Sequence, residues 1–119
     1  MANEKKIIEE WEVKDLEDNS SLKIMVESCS ELGNNSKPGI QVHFLGYIVT
    51  FEPNIVAKWA YAAGKAGVSE YLTDRSWTAH EDQYIKVYLI LGSPLKARVE
   101  VKTRSSQPVV KEYPLPFAV

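Results

Sequence analysis

The sequence predicts an α+β domain: an antiparallel, bulged sheet of about five strands in the order β-β-β-α-β-β, packed on one helix, with an extended C-terminal tail. Three observations predict it. Several segments alternate apolar and polar residues with period two, the pattern of half-buried strands. One segment, 54–72, repeats its apolar residues at three- and four-residue spacing, as a helix does. Clusters of Gly, Pro, Asn, Asp and Ser separate these segments. The 119 residues fit a single α+β domain over 1–107 plus a proline-containing apolar tail over 108–119.

The first element lies in an acidic stretch. Residues 1–20 hold three lysines against seven acids, a local charge of −4. Trp11 and Val13 alternate with Glu10, Glu12 and Lys14, which favours a strand, although the Glu and Lys content would also suit a helix from Glu4 to Leu16. Glu17-Asp18-Asn19-Ser20-Ser21 is a turn cluster, because these side chains bond their own backbone. Leu22, Ile24 and Val26 then alternate with Lys23, Met25 and Glu27 in a strand running to about Cys29. A loop is expected over Gly33–Gly39.

Residues 40–51 read as one strand. Ile40, Val42 and Phe44 share a face, whereas Tyr47, Val49 and Phe51 have the opposite parity. A one-residue bulge at Gly46 would return both sets to one side. Pro53 suits a first helical turn, and Ile55, Val56, Trp59, Ala60, Ala63 and Ala66 form the apolar stripe that follows. Gly64 and Gly67 are expected to divide this helix into 54–63 and 68–73. Thr73–Asp82 reads as a loop. A hairpin follows, with Ile85, Val87, Leu89 and Leu91 on one arm, Gly92-Ser93-Pro94 at the turn and Leu95, Ala97, Val99 and Val101 on the other.

Composition narrows function by exclusion. The apolar fraction of 45% and charged fraction of 25% are ordinary for a globular chain, and the net charge of −2 favours no polyanion. The single cysteine, Cys29, rules out a disulfide within the chain. No apolar run is long enough for a membrane span or a secretory leader, so the expected address is the cytoplasm. No cofactor is implied: Gly64-Lys65-Ala66-Gly67 lacks the spacing of a phosphate loop, and no paired Cys or His dyads suggest a metal.

No catalytic constellation emerges. Asp74, His80, Glu81 and Asp82 cluster, but consecutive residues of an extended chain point to opposite sides. His43 suits a half-exposed sheet face, and Cys29 a small buried hydrophobe. Lys86, Lys96, Arg98, Lys102 and Arg104, interleaved with Tyr84 and Tyr88, form a candidate anion-binding face for single-stranded nucleic acid. Trp59, Tyr61, Trp77 and His80 outline a candidate small-molecule pocket between sheet and helix. The tail carries Val109, Val110, Tyr113, Leu115, Phe117 and Val119 among prolines, and such a segment must cover apolar surface of its own domain, of another copy or of another protein. The leading expectation is a non-catalytic interaction or assembly module, homo-oligomeric through this tail, with Trp11, Tyr113, Leu115 and Phe117 as its interface. A small-molecule-binding protein or small enzyme comes second, nucleic-acid binding third.

Overall fold

The computed structural model describes residues 5–32 and 37–119. Among them the chain forms nine strands in two antiparallel sheets and one helix, which bears out the α+β class. The first sheet is a four-stranded meander of β1 (Lys5–Lys14), β2 (Ser21–Leu32), β3 (Lys37–Phe44) and β4 (Tyr47–Phe51), each strand pairing with the next. Helix α1 (Pro53–Ala66) leads to the second sheet. In it β5 (Glu70–Leu72) and β6 (Trp77–His80) share one edge of β7 (Gln83–Ile90), which pairs with β8 (Lys96–Lys102), which pairs with β9 (Val109–Pro114).

The two sheets bury their apolar rows in one common core. Leu22, Ile24 and Val26 of β2 and Ile40, Val42 and Phe44 of β3 belong to it together with Ile85, Val87 and Leu89 of β7 and Ala97, Val99 and Val101 of β8. Alternation along each strand puts every second side chain inward, so each sheet has a dry face and a wet one. Helix α1 packs against β3, β4, β5 and β7 and contributes Val56 and Ala63 to the interior. Its Trp59 ring meets Phe51 edge-on at 5.3 Å, a favoured aromatic geometry.

Several expectations are corrected. Five strands in one sheet become nine in two: 40–51 is two strands, β5 pairs with β7 across β6, β6 forms a tight hairpin with β7, and the proline-flanked β9 pairs with β8. The 40–51 strand is two strands. Leu45 and Gly46 both have positive φ, 50° and 78°, and join β3 to β4 as the two central residues of a hairpin whose closing pair is Phe44 and Tyr47. The parity change therefore marks a reversal of direction and not a bulge. True register shifts lie between Ile7 and Glu9, between Cys29 and Leu32, and between Thr78 and His80. Helix α1 is one piece: Gly64 sits within it, and Gly67, at φ 71°, ends it in the left-handed cap that glycine favours. Segment 5–14 is a strand and not a helix. The expected loop over Gly33–Gly39 falls partly on residues 33–36, outside the described residues, with Lys37–Gly39 belonging to β3.

The tail is the edge strand of the second sheet. Val109–Pro114 pair with Lys96–Val101, and Tyr113 and Leu115 are buried in their own chain. The core of the same protomer occupies both side chains, where the tail was expected to cover its own domain, another copy or another protein. Proline lacks a donor but is tolerated on an edge. Trp11 is likewise engaged internally, its indole N–H donating to the Tyr113 hydroxyl at 2.8 Å. Phe117 packs half-buried against the core.

Two ties close this side of the sandwich. Lys111 Nζ reaches Glu9 Oε2 at 2.8 Å. At the turn after β1, Asp15 is fully enclosed: it accepts the Glu17 N–H at 2.9 Å and the Ser105 hydroxyl at 3.1 Å, and Arg104 Nε lies 3.3 Å away. The Glu17 backbone bond, with help from Ser105 and Arg104, holds the Asp15 carboxyl below its usual range.

Candidate functional site

The register aligns four outward side chains across the whole first sheet. Glu10 pairs with Met25, Met25 with His43, and His43 with Ile48. One step along, Glu12 pairs with Lys23; one step the other way, Ile7 pairs with Glu27, Glu27 with Gln41 and Gln41 with Thr50. The Glu10–Met25–His43 and Glu12–Lys23 stretches line an open groove of about 620 Å³ together with Trp11, Leu45 and Gly46, whereas Ile48 and the Glu27–Gln41–Thr50 row lie beside it on the same face.

The polar groups of this face divide into two kinds. His43 Nε2 lies 2.6 Å from Glu27 Oε1, yet it is not aligned for a hydrogen bond and, like Gln41 Oε1, has no hydrogen-bond partner. Gln41 spends its amide on Thr50 Oγ1 at 3.3 Å. Glu10, Glu12 and Lys23 make no ion pair among the described residues. The apolar groups are exposed: Leu45 by 47% and Ile48 by 51%.

The outer face of the second sheet is the opposite case. Arg98 donates to Glu112 Oε2 at 2.9 Å and Glu70 Oε1 at 2.6 Å, and Lys96 lies 3.6 Å from Glu112. The Arg98 bond to Glu112 holds that carboxyl below its usual range. Arg104 serves Asp15 and Asp18, the latter at 2.7 Å. Lys102 donates to the backbone carbonyls of Asp82 and Thr103, and Lys86 lies 4.4 Å from the centre of the Tyr84 ring. Tyr84 donates to Glu100 at 2.5 Å, and burial first, then this bond, pushes its pKa up to about 12. Each of the five candidate anion-binding residues already has an internal partner.

The candidate pocket residues are not brought together. Trp59 faces Phe51, Tyr61 is 69% exposed on the helix, and His80 Nδ1 lies 2.7 Å from Asp82 Oδ1 at the surface. Trp77 alone lines a cavity of about 260 Å³, with Tyr47, Ile48 and Asp74–Ser76. Among the described residues no group of three or more His, Cys, Asp or Glu side chains could hold a metal ion.

Sequence reasoning missed the groove because its floor is assembled from β1, β2, β3 and the Leu45-Gly46 turn through register, which no local pattern encodes. The available signal was Leu45-Gly46 as a two-residue turn between apolar runs. Among the described residues no helix is long and apolar enough to cross a membrane. No family model, no curated protein and no solved structure matches the chain.

Proposed function

We propose that this protein is a non-catalytic interaction module that associates with copies of itself through the outer face of the first sheet, and not through its tail. The observation that carries the reading is Leu45. A two-residue hairpin with positive φ at both positions suits Asn-Gly or Gly-Gly. A leucine there is strained, and almost half its surface meets water. A residue that breaks two local rules with no gain to its own fold fits a role outside it. Ile48 extends the apolar patch, and Met25, an adaptable packing residue, joins both to the groove.

Light scattering over a concentration series tests the reading. The wild-type mass should rise above the 13.4 kDa of one chain, and Leu45→Asn/Ile48→Ser should stay at it. A wild type that remains one protomer up to about millimolar concentration, where even a weak contact of about −4 kcal/mol would register, defeats the proposal.

A second reading, small-molecule binding on the same sheet face, is favoured by one observation. His43 Nε2 and Gln41 Oε1 are buried polar atoms without hydrogen bonds, and such atoms are costly unless something completes them. It predicts a ligand-dependent rise in melting temperature that His43→Phe abolishes. Nucleic-acid binding has less support, because Arg98 and Arg104 each already face two carboxylates.

A further inference from the structure

We infer that the groove of one copy receives the outer face of helix α1 of the next, giving head-to-tail assembly. The inference rests on the self-association proposed above and names its second surface.

Helix α1 contains no acidic residue. Its exposed side carries Lys58, Tyr61 and Lys65 at spacings of three and four, so they share one face. Neither lysine has a carboxylate partner among the described residues; Lys65 Nζ lies 5.6 Å from the centre of the Tyr61 ring. Tyr61, 69% exposed, is the side chain a protein interface uses as an anchor. Gly64, one turn beyond, has nothing but its own helix backbone and chain neighbours within 4 Å of where a Cβ would stand. It costs the helix about 1 kcal/mol against alanine, with no return within the chain, and it lets another backbone approach closely.

The groove presents the complement. Glu10 and Glu12, two residues apart on a strand and hence about 6.8 Å apart, make no ion pair among the described residues, while Lys23 and His43 are the basic side chains lining it. Lys58 and Lys65 are two helical turns apart, about 10.5 Å, and their flexible stems cover the difference. Met25 and Leu45 supply apolar surface for Tyr61 within the groove, and exposed Ile48 continues it beside His43. A two-fold contact of this face with its own copy would instead bring an acidic strip against an acidic strip. Two different surfaces meeting form a heterologous contact, which propagates into a ring or an open chain.

A charge-swap experiment on the full chain tests it. One variant carries Glu10→Lys/Glu12→Lys, the other Lys58→Glu/Lys65→Glu. All four positions are exposed, where substitutions seldom unfold a protein, and circular dichroism confirms the fold. Each variant alone should associate at least about tenfold more weakly than wild type. In an equimolar mixture both contacts become complementary again, and the mass should recover. Either variant associating like wild type overturns the inference, as does a mixture that stays at one protomer. Association of wild type should also weaken by about tenfold from low to high salt; salt-independent association overturns the inference with no substitution made. A wild type that never associates fails the functional proposal itself, so the two failures are separate.

Discussion

The Tyr113 hydroxyl donates to Glu9 Oε1 at 2.7 Å, joining the last strand of the second sheet to the first strand of the first. The same oxygen accepts the Trp11 indole N–H. Tyr113→Phe removes the oxygen and leaves the Trp11 donor without its acceptor in a part-buried site. The expected cost is about 1–3 kcal/mol, read as a lower urea midpoint with an unchanged slope. A midpoint equal to wild type would mean that water replaces the hydroxyl at no cost.

Truncation after Gln107 is expected to abolish folding. It strips β9 from β8 and removes Tyr113 and Leu115, each a buried side chain that contributes about 1.5–3 kcal/mol by burial. It also uncovers Ala97, Val99 and Val101, which have no exposed surface. Against a total stability of about 5–15 kcal/mol, that loss is decisive. The measurement is circular dichroism and amide dispersion of the shortened chain; a folded, cooperative 1–107 fragment would contradict the placement of β9 in the sheet.

Leu45→Asn should stabilise the chain while weakening its association. Asparagine adopts positive φ more readily than leucine and removes exposed apolar surface, a gain of about 0.5–1 kcal/mol. Thermal melting and light scattering on one sample read both effects. A variant no more stable than wild type would mean that Leu45 packs usefully within its own hairpin.

Stability should fall at both ends of the pH scale. Glu9, Asp15, Asp18 and Glu112 are held below the ordinary carboxylate range, chiefly by hydrogen bonds from Lys111, the Glu17 backbone, Ser20 and Arg98 respectively. A folded pKa below the unfolded one gives stability that is complete above about pH 4 and is lost as pH drops through the folded values. Tyr84, raised to about 12, and Tyr113, also raised, both mainly by burial, act in the other direction. Their contribution is complete below the unfolded tyrosine value of about 10 and is lost as pH rises beyond it. Urea midpoints from pH 2 to 12 should trace a plateau with two shoulders; Tyr113→Phe should flatten the alkaline one.

The strands with clean alternation were legible in the sequence. Leu22–Val26, Ile85–Leu89 and Ala97–Val101 each bury one parity because one face alone is covered, and period two follows directly. What stayed hidden depends on the partner strand. Trp77–His80 is a strand because it turns back on β7 at once, His80 opposite Gln83, through a charged Glu81-Asp82 turn. Val109–Pro114 looked like a tail because its prolines exclude a central strand, yet an edge accepts them. Leu45 concealed a hairpin by being the wrong residue for it. The rows of the first sheet's outer face, Glu10 to Ile48 above all, exist through three successive registers that no single window contains. The basic side chains of the hairpin were visible in the sequence, but their partners were not: Glu70, Glu112, Asp15 and Asp18, which occupy its arginines, come from β5, β9 and the turn after β1.

The pairing of β1 with β9 side chains also sets an order of events during synthesis. Glu9, Trp11 and Asp15 find their partners some ninety to a hundred residues later in the chain. A ribosome therefore releases the first meander long before Tyr113 and Arg104 exist to close it, with the apolar rows of β2 and β3 waiting for the second sheet. Contacts of such separation fold slowly, and the waiting sheet is the species most open to chaperones and to wrong partners.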